Sequence, residues 1–405
     1  MFFMLEQSNM TTDFDQIIDR TNTGSIKWAF PQLFLSKQQA AANPLPLWVA
    51  DMDFHTPSCI KKALIKAVTN EVLGYSIPTD SYFEAVCNWQ QKRFNWNTQK
   101  DWIVQTPGVV TALNIAIQAF TKPGDEILIQ PPVYVHFHQD PTANNRNIVV
   151  APLKQDKNGV YYFDPIKFEQ AISKKTKLFI LCNPHNPTGN VWSEQDLTAM
   201  AEICLRHKIL IISDEIHQDL IFNPNHKHFP LAKLGGEFAQ NVVVCTAPSK
   251  TFNIAGLQIS NIFIPNAKLR NKFTEQTHKN GINLVNCLGL IACEAAYRHG
   301  ENWLTELLVF IKGNYDFLVA ELKTHLPQIK VTPTNALYLA WLDFRTLEMT
   351  ASELMDFLTI KAGVWFDDGR KFGEQGHGFM RINLGCPRST LTEVITRLKH
   401  AISNR

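Results

Sequence analysis

Three side chains of complementary chemistry stand in fixed order along this 405-residue chain, each just behind a short apolar run. Asn186 follows Lys177-Leu-Phe-Ile-Leu-Cys182, within Asn183-Pro-His-Asn-Pro-Thr-Gly189. Asp214 follows Lys208-Ile-Leu-Ile-Ile-Ser213 and opens Asp-Glu-Ile-His217. Lys250 follows Asn241-Val-Val-Val-Cys-Thr246, within Ala247-Pro-Ser-Lys-Thr-Phe-Asn253. An amine, a carboxylate and an amide delivered together suit pyridoxal phosphate. The lysine forms the Schiff base, the acid meets the pyridinium nitrogen and the amide meets the phenolic oxygen. Each has a plainer reading when taken alone: a solvated loop lysine, a helix-capping aspartate, a simple Asn-Pro turn. All three in this order, each behind a strand signal, outweigh those readings.

The elements that must position them can be read as well. Short apolar runs closed by turn residues read as buried strands of a parallel sheet. Polar groups just past their carboxyl ends converge on the ligand crevice of an open α/β sheet. Strands are expected at Trp102–Gln105, Glu126–Gln130, Ile148–Ala151, Lys177–Cys182, Lys208–Ser213, Asn241–Thr246 and Ile259–Ile264. Their alternation with helical patterns argues for βαβ units and a mainly parallel seven-stranded sheet. Helices fit Ser58–Val72, with Pro57 suited to its first turn, and Tyr82–Phe94. A long helix is expected from near Leu284 into a second domain. The expected division is residues 1–50 as an arm and part of a small domain, 51–295 as a large cofactor-binding α/β domain, and 296–405 as a smaller α+β domain. The last carries strand-like Leu337–Leu342 and Phe379–Leu384.

Further candidates surround the three. Gly108-Val109-Val110 opens a helical pattern directly after the first strand, and a helix N-terminus offers unpaired N–H groups and a favourable dipole to a phosphate. Tyr134, in Pro131-Pro-Val-Tyr134, can stack on a flat ring or simply be packed. His217 can sit near the cofactor's oxygen or be a satisfied structural histidine. Arg381, in Phe379-Met-Arg-Ile-Asn-Leu-Gly385, offers a planar fork for a substrate carboxylate, the plain alternative being a surface salt bridge. Several chemistries fail on spacing. No Gly-x-Gly-x-x-Gly follows a first strand, no Walker-type loop exists, and Ser249 directly precedes Lys250, so Ser-x-x-Lys is absent. His136-Phe-His138 and His226-Lys-His228 place two imidazoles on one strand face at most, a weak metal signal without a third ligand.

Net charge is +2, which gives no basic face for nucleic acid, and no apolar stretch is long enough to span a bilayer. The N-terminal Met-Phe-Phe-Met-Leu is too short for a secretion signal and Glu6 follows at once; Met10 is a candidate alternative start. Eight scattered cysteines without Cys-x-x-Cys pairs read as core residues of a reducing cytoplasm.

At these residues the chain resembles the aspartate-aminotransferase superfamily of fold-type I pyridoxal-phosphate enzymes, and within it is most similar to the MalY/PatB-type cystathionine β-lyases, or C–S lyases. The marks are Leu47-Trp-Val-Ala-Asp-Met-Asp-Phe54, Gly74-Tyr-Ser76, Pro131-Pro-Val-Tyr134, the Asn186, Asp214 and Lys250 segments, and Arg381-Ile-Asn-Leu-Gly385, spread over nearly the whole chain. The resemblance implies Lys250 as the Schiff-base lysine, Asp214 at the ring nitrogen, Asn186 at the phenolic oxygen, Tyr134 over the ring and Arg381 at the substrate's α-carboxylate. It makes Tyr75 a residue lent to the neighbour's phosphate, hence a homodimer with shared sites. It also implies β-elimination on a small sulfur amino acid, Lys250 taking the Cα proton, with a thiol, pyruvate and ammonia as products. Amino-group transfer would use the same residues, so an aminotransferase is the alternative, and a cofactor-holding regulator that binds another protein is a third reading. Three departures stand out. Gln258 replaces an arginine frequent eight residues after the lysine, and Ala247 and Pro248 carry no hydroxyl, which shifts phosphate binding to Ser249 and the Gly108 turn. Lys27-Trp-Ala lacks the aspartate expected after the tryptophan.

Overall fold

The computed structural model describes residues 12–70 and 72–405; Met1–Leu5 and Met10 lie outside the described residues. Seven strands form one sheet: β1 Ile103–Thr106, β2 Glu126–Ile129, β3 Asn147–Val150, β4 Thr176–Cys182, β5 Leu210–Asp214, β6 Val242–Thr246 and β7 Ser260–Phe263. Their order is β1-β7-β6-β5-β4-β2-β3, with only β7 antiparallel to its neighbours. The central strands are apolar almost throughout because both faces are covered. Leu178, Ile180, Ile212 and Val243 enter one core, while Phe179, Leu181, Ile211 and Val244 enter the other. Each such fully buried side chain contributes about 1.5–3 kcal/mol relative to exposure.

All seven expected strands are present, with small shifts at their ends. The fifth begins at Leu210 rather than Lys208, because Lys208 turns the chain at φ 57° after the preceding helix. The first expected helix is described over Ser58–Asn70, and Val72 lies outside it. The long helix expected from Leu284 is two helices, Cys287–His299 and Glu301–His325. Asn286 caps the first through the Gly289 N–H. Gly300 separates them, and a Cβ there would lie 2.5 Å from Cε1 of Phe252. His136 and His138 fall on a helix, His136–Ala143, and not on a strand. Two positions apart on a helix, they do not share a face.

A second sheet, β8 Lys330–Val331, β9 Leu339–Asp343, β10 Asp367–Asp368 and β11 Phe379–Asn383, runs antiparallel in the order β8-β9-β11-β10. The segment before residue 50 packs with this part. Leu45–Pro46 pairs with Val364–Trp365, and Leu47 enters its core. The division at 295/296 stands as a proposal. Tyr338, Leu339 and Trp341 of the C-terminal part join the core against the large sheet.

Candidate active site

Asp214 is the last residue of β5, and strand alternation decides where it points. It lies in register with Cys182 of β4 and Cys245 of β6, on the face covered by the helix Val109–Phe120. Its carboxylate is buried and accepts one bond, from the Ile216 N–H at 3.2 Å. Burial pushes its pKa up to about 7 against the pull of Ile216, Lys250 and His136. The site alone does not secure the charge that Asp214 needs opposite a pyridinium at neutral pH. A cation at its face, such as a pyridinium N–H, is what would hold it ionised.

Lys250 rides on a short helix, Pro248–Thr251, that Pro248 starts just past β6. Its Nζ donates to the Ala50 carbonyl at 2.8 Å. Burial, then the Arg381 charge, brings its pKa down to about 8, while Asp51 and Asp214 pull the other way. The loop is tied from beneath: Thr251 donates to the buried Asp219 carboxylate at 3.0 Å, which also accepts from Trp89 Nε1 at 3.2 Å and Arg93 Nε at 3.3 Å.

Arg381 lies on β11 between β9 and β10. Its Nη2 donates to the Trp48 carbonyl at 3.0 Å and to Asp367 Oδ2 at 2.6 Å, and its Nη1 donates to Asn186 Oδ1 at 3.1 Å. The guanidinium carbon sits 4.9 Å from the centre of the Phe372 ring. The residue is only 4 % exposed, so the surface salt-bridge reading does not hold. Its Nε is buried without a partner. An unsatisfied buried donor costs about 1–3 kcal/mol, which an arriving carboxylate would relieve. The Arg381 contact also commits the Asn186 carbonyl and leaves that residue's amide NH2 as its remaining donor.

His217 is buried, with its ring edge-on to Tyr338 at 6.4 Å between centroids. Its Nδ1 has no partner, which overturns the satisfied structural histidine. Burial, with Lys250 and Arg381 nearby, pushes its pKa well below the ordinary range, so the ring is neutral. Tyr134 is half-buried, its ring 5.2 Å from that of His136, and burial raises its hydroxyl pKa above the usual range. Gly108 opens the helix Val109–Phe120 at φ 94°, a conformation that favours glycine, with nothing within 4 Å of where a Cβ would stand. The N–H groups of Val109 and Val110 belong to its first turn, and Ser249 is buried beside Lys250. Tyr75 is 99 % exposed, so its own chain does not bring it to the site.

The sequence did not single out Tyr338, Asp367, Asn383 or the carbonyl of Ala50. Tyr338 donates its hydroxyl to Ala50 O at 2.8 Å, the acceptor Lys250 also uses. The Lys27-Trp28 departure has a structural role after all. Lys27 Nζ, wholly buried, reaches Asp53 Oδ2 at 2.6 Å, and Trp28 Nε1 reaches Asp53 Oδ1 at 2.8 Å.

These residues fit pyridoxal phosphate. Lys250 offers an amine of lowered pKa, Asp214 a carboxylate that needs a cation, His217 an orphaned ring nitrogen, and Gly108–Val110 a helix N-terminus for the phosphate. Fold and site together define a fold-type I pyridoxal-phosphate enzyme. The aminotransferase class I and II family model matches residues 43–398, and the chain belongs to that family. It is 43% identical over 393 residues to cystathionine beta-lyase PatB of Bacillus subtilis, covering 96% of this chain and 100% of PatB. It is 31% identical over 394 residues to MalY of Escherichia coli, covering 96% and 98%. The solved structure of cystalysin from Treponema denticola, which contains pyridoxal 5′-phosphate, superposes with a TM-score of 0.93 at 36% identity, covering 98% of this chain and 100% of cystalysin.

Proposed function

We propose that this chain is a pyridoxal-phosphate-dependent carbon–sulfur β-lyase of the cystathionine β-lyase type, which converts a small sulfur amino acid to a thiol, pyruvate and ammonia. The observation that carries it is a single buried frame in which the Lys250 amine and the Arg381 guanidinium, with its unpaired Nε, grip neighbouring carbonyls of one strap, Ala50 and Trp48. The cofactor supplies an electron sink for the charge left at Cα when its proton departs. Arg381 holds the substrate's α-carboxylate and so fixes which Cα bond faces Lys250. With a pKa near 8, Lys250 has a useful neutral fraction at physiological pH and takes the Cα proton at Nζ. Asp214 would keep its charge through the pyridinium of the bound cofactor. Phe372 and Tyr338, both buried, wall the site from water. The choice of β-elimination over amino-group transfer leans on the similarity to PatB.

We place the active form as a homodimer. Tyr75 stands among Val72, 94 % exposed, and Ile77, 72 % exposed, an apolar surface that a second copy would cover. Tyr75 of one protomer is assigned to the cofactor phosphate of the other. All eight cysteines are free, which suits the cytoplasm; among the described residues no helix is long and apolar enough to cross a membrane. The test is pyruvate release from cystathionine by the purified holoenzyme, with and without an added keto acid. Release without the keto acid is expected. Strict dependence on it would identify an aminotransferase, and no turnover with cofactor bound would favour the regulator.

A further inference from the structure

The strap from Trp48 to Phe54 is clamped along its main chain by two asparagines. Asn383 Nδ2 donates to the carbonyls of Val49 at 2.6 Å and Asp51 at 2.5 Å, and its Oδ1 accepts from the Gly385 N–H at 2.7 Å. Asn253 accepts from the Met52 N–H at 2.9 Å and donates to the carbonyls of Met52 at 2.8 Å and Phe54 at 3.0 Å. Ala50 O is thereby fixed between two clamped neighbours, and it receives both Lys250 Nζ and the Tyr338 hydroxyl, each at 2.8 Å.

The next residue along is Asp51. One carboxylate oxygen, Oδ2, takes Arg20 Nη2 at 2.7 Å. The other, Oδ1, is buried and has no partner. Arg20 is itself divided, its Nη1 serving Asp53 Oδ1 at 2.8 Å. A half-paired carboxylate beside the acceptor of a titrating amine is an incomplete arrangement, and a cation completes it.

We infer that Asp51 is the electrostatic partner of the Lys250 ammonium that forms when the lysine takes the substrate's Cα proton. This rests on the role of Lys250 proposed above. In that step the C–H bond breaks, its electron pair stays with the substrate, and a new N–H bond forms at Nζ, so the site gains one positive charge on the lysine. The groups that face this amine are Arg381, Asp51, Asp214, His217 and Tyr338. Arg381 opposes a second cation, while His217 is neutral and Tyr338 protonated. With the cofactor bound, Asp214 would be taken up by the pyridinium it faces, and in the cofactor-free protein it is the same in both variants below, so it does not set the opposite signs of their shifts. Asp51 is the anion that remains. It touches neither cofactor nor substrate in this scheme and acts through Lys250, so it is a positioning residue.

Two variants of opposite sign test this. Asp51→Asn keeps the shape and removes the charge, so the proton affinity of Lys250 falls about tenfold. Arg20→Gln removes the cation competing for Asp51, so that affinity rises several-fold. The readout is the pH dependence of Lys250 acetylation in the cofactor-free full-length protein, followed by peptide mass spectrometry. In the holoenzyme, the acid limb of kcat moves the same way, and Asp51→Asn changes KM by less than about twofold. If both variants shift Lys250 in one direction, or neither shifts it, Asp51 is not its partner. Should Asp51→Asn fail to fold, the direction found for Arg20→Gln decides alone. A Lys250→Ala control separates the two levels. Turnover surviving in it would defeat the proposed function itself, whereas a dead control with an unmoved Arg20→Gln titration would defeat only this inference.

Discussion

The two walls of the site are built by different means. On one wall, Asn186, Asp214 and Lys250 stand within four residues of the ends of β4, β5 and β6, three adjacent parallel strands. Sheet geometry sets their spacing before any side-chain bond forms. The other wall joins segments far apart in sequence. Arg381 reaches Trp48, 333 residues away, and Asn383 reaches Val49, 334 residues away. The first wall carries its chemistry in residue types at fixed offsets. The second holds its geometry through side chains gripping carbonyls. Removing a side chain from the first should delete chemistry and spare the frame, while doing so in the second should loosen the frame and spare the chemistry.

Lys250→Ala gives the sharpest contrast. We expect turnover to fall about 10⁴-fold or more, with the visible band of bound cofactor lost and the circular dichroism spectrum unchanged. Asp214→Ala comes next, with kcat down about 10²–10³-fold and the cofactor still retained. A stability measurement on cofactor-free Asp214→Asn sharpens the point. The folded-state pKa of Asp214 is raised from 3.8 to about 7, so the folded protein binds more protons than the unfolded between those values and its stability falls as pH rises through that window. Removing the carboxylate should therefore stabilise the cofactor-free protein by a few kcal/mol above pH 7, a gain that vanishes near pH 4. Denaturant melts across pH would show it, and a destabilised variant at pH 7 would contradict the burial argument.

On the other wall, Arg381→Lys should raise KM about 10–100-fold with a smaller drop in kcat, because an ammonium has three donors and no planar fork for the four acceptors Trp48, Asn186, Asp367 and a carboxylate. Steady-state kinetics against amine analogues of the substrate that lack the α-carboxylate checks it, since the variant's handicap should disappear there. Asn383→Ala should do least to the chemistry: a few-fold in both kcat and KM, with a loss of about 1–3 kcal/mol in unfolding free energy as two carbonyls lose their donor. A kinetic defect matching that of Asp214→Ala would mean the two walls are not distinct in this way.

What could be read from the sequence follows the same line. Asp214 was legible because a continuous apolar run closed by a turn signal places it at a strand end, and Arg381 because apolar neighbours flank it. Asp367 was not. It stands in Phe366-Asp-Asp-Gly369, where nothing separates it from Asp368; only the antiparallel register sets Asp367 opposite Arg381 and Asp368 opposite Met380. Tyr338 looked like the start of an ordinary strand. The broken helix escaped because Gly300 owes its place to Phe252, a contact between segments that no local pattern encodes.

The strap has a consequence for anyone reshaping this pocket. The group that receives both Lys250 and Tyr338 at residue 50 is a peptide oxygen, which any amino acid at that position supplies equally. Ala50 is half-buried at the site, so its side chain can be exchanged while the acceptor stays where Asn383 holds its neighbours. Position 50 is therefore a place to grow bulk or polarity toward a chosen substrate without rewriting the catalytic set, whereas a one-residue change in strap length would move every clamped carbonyl at once.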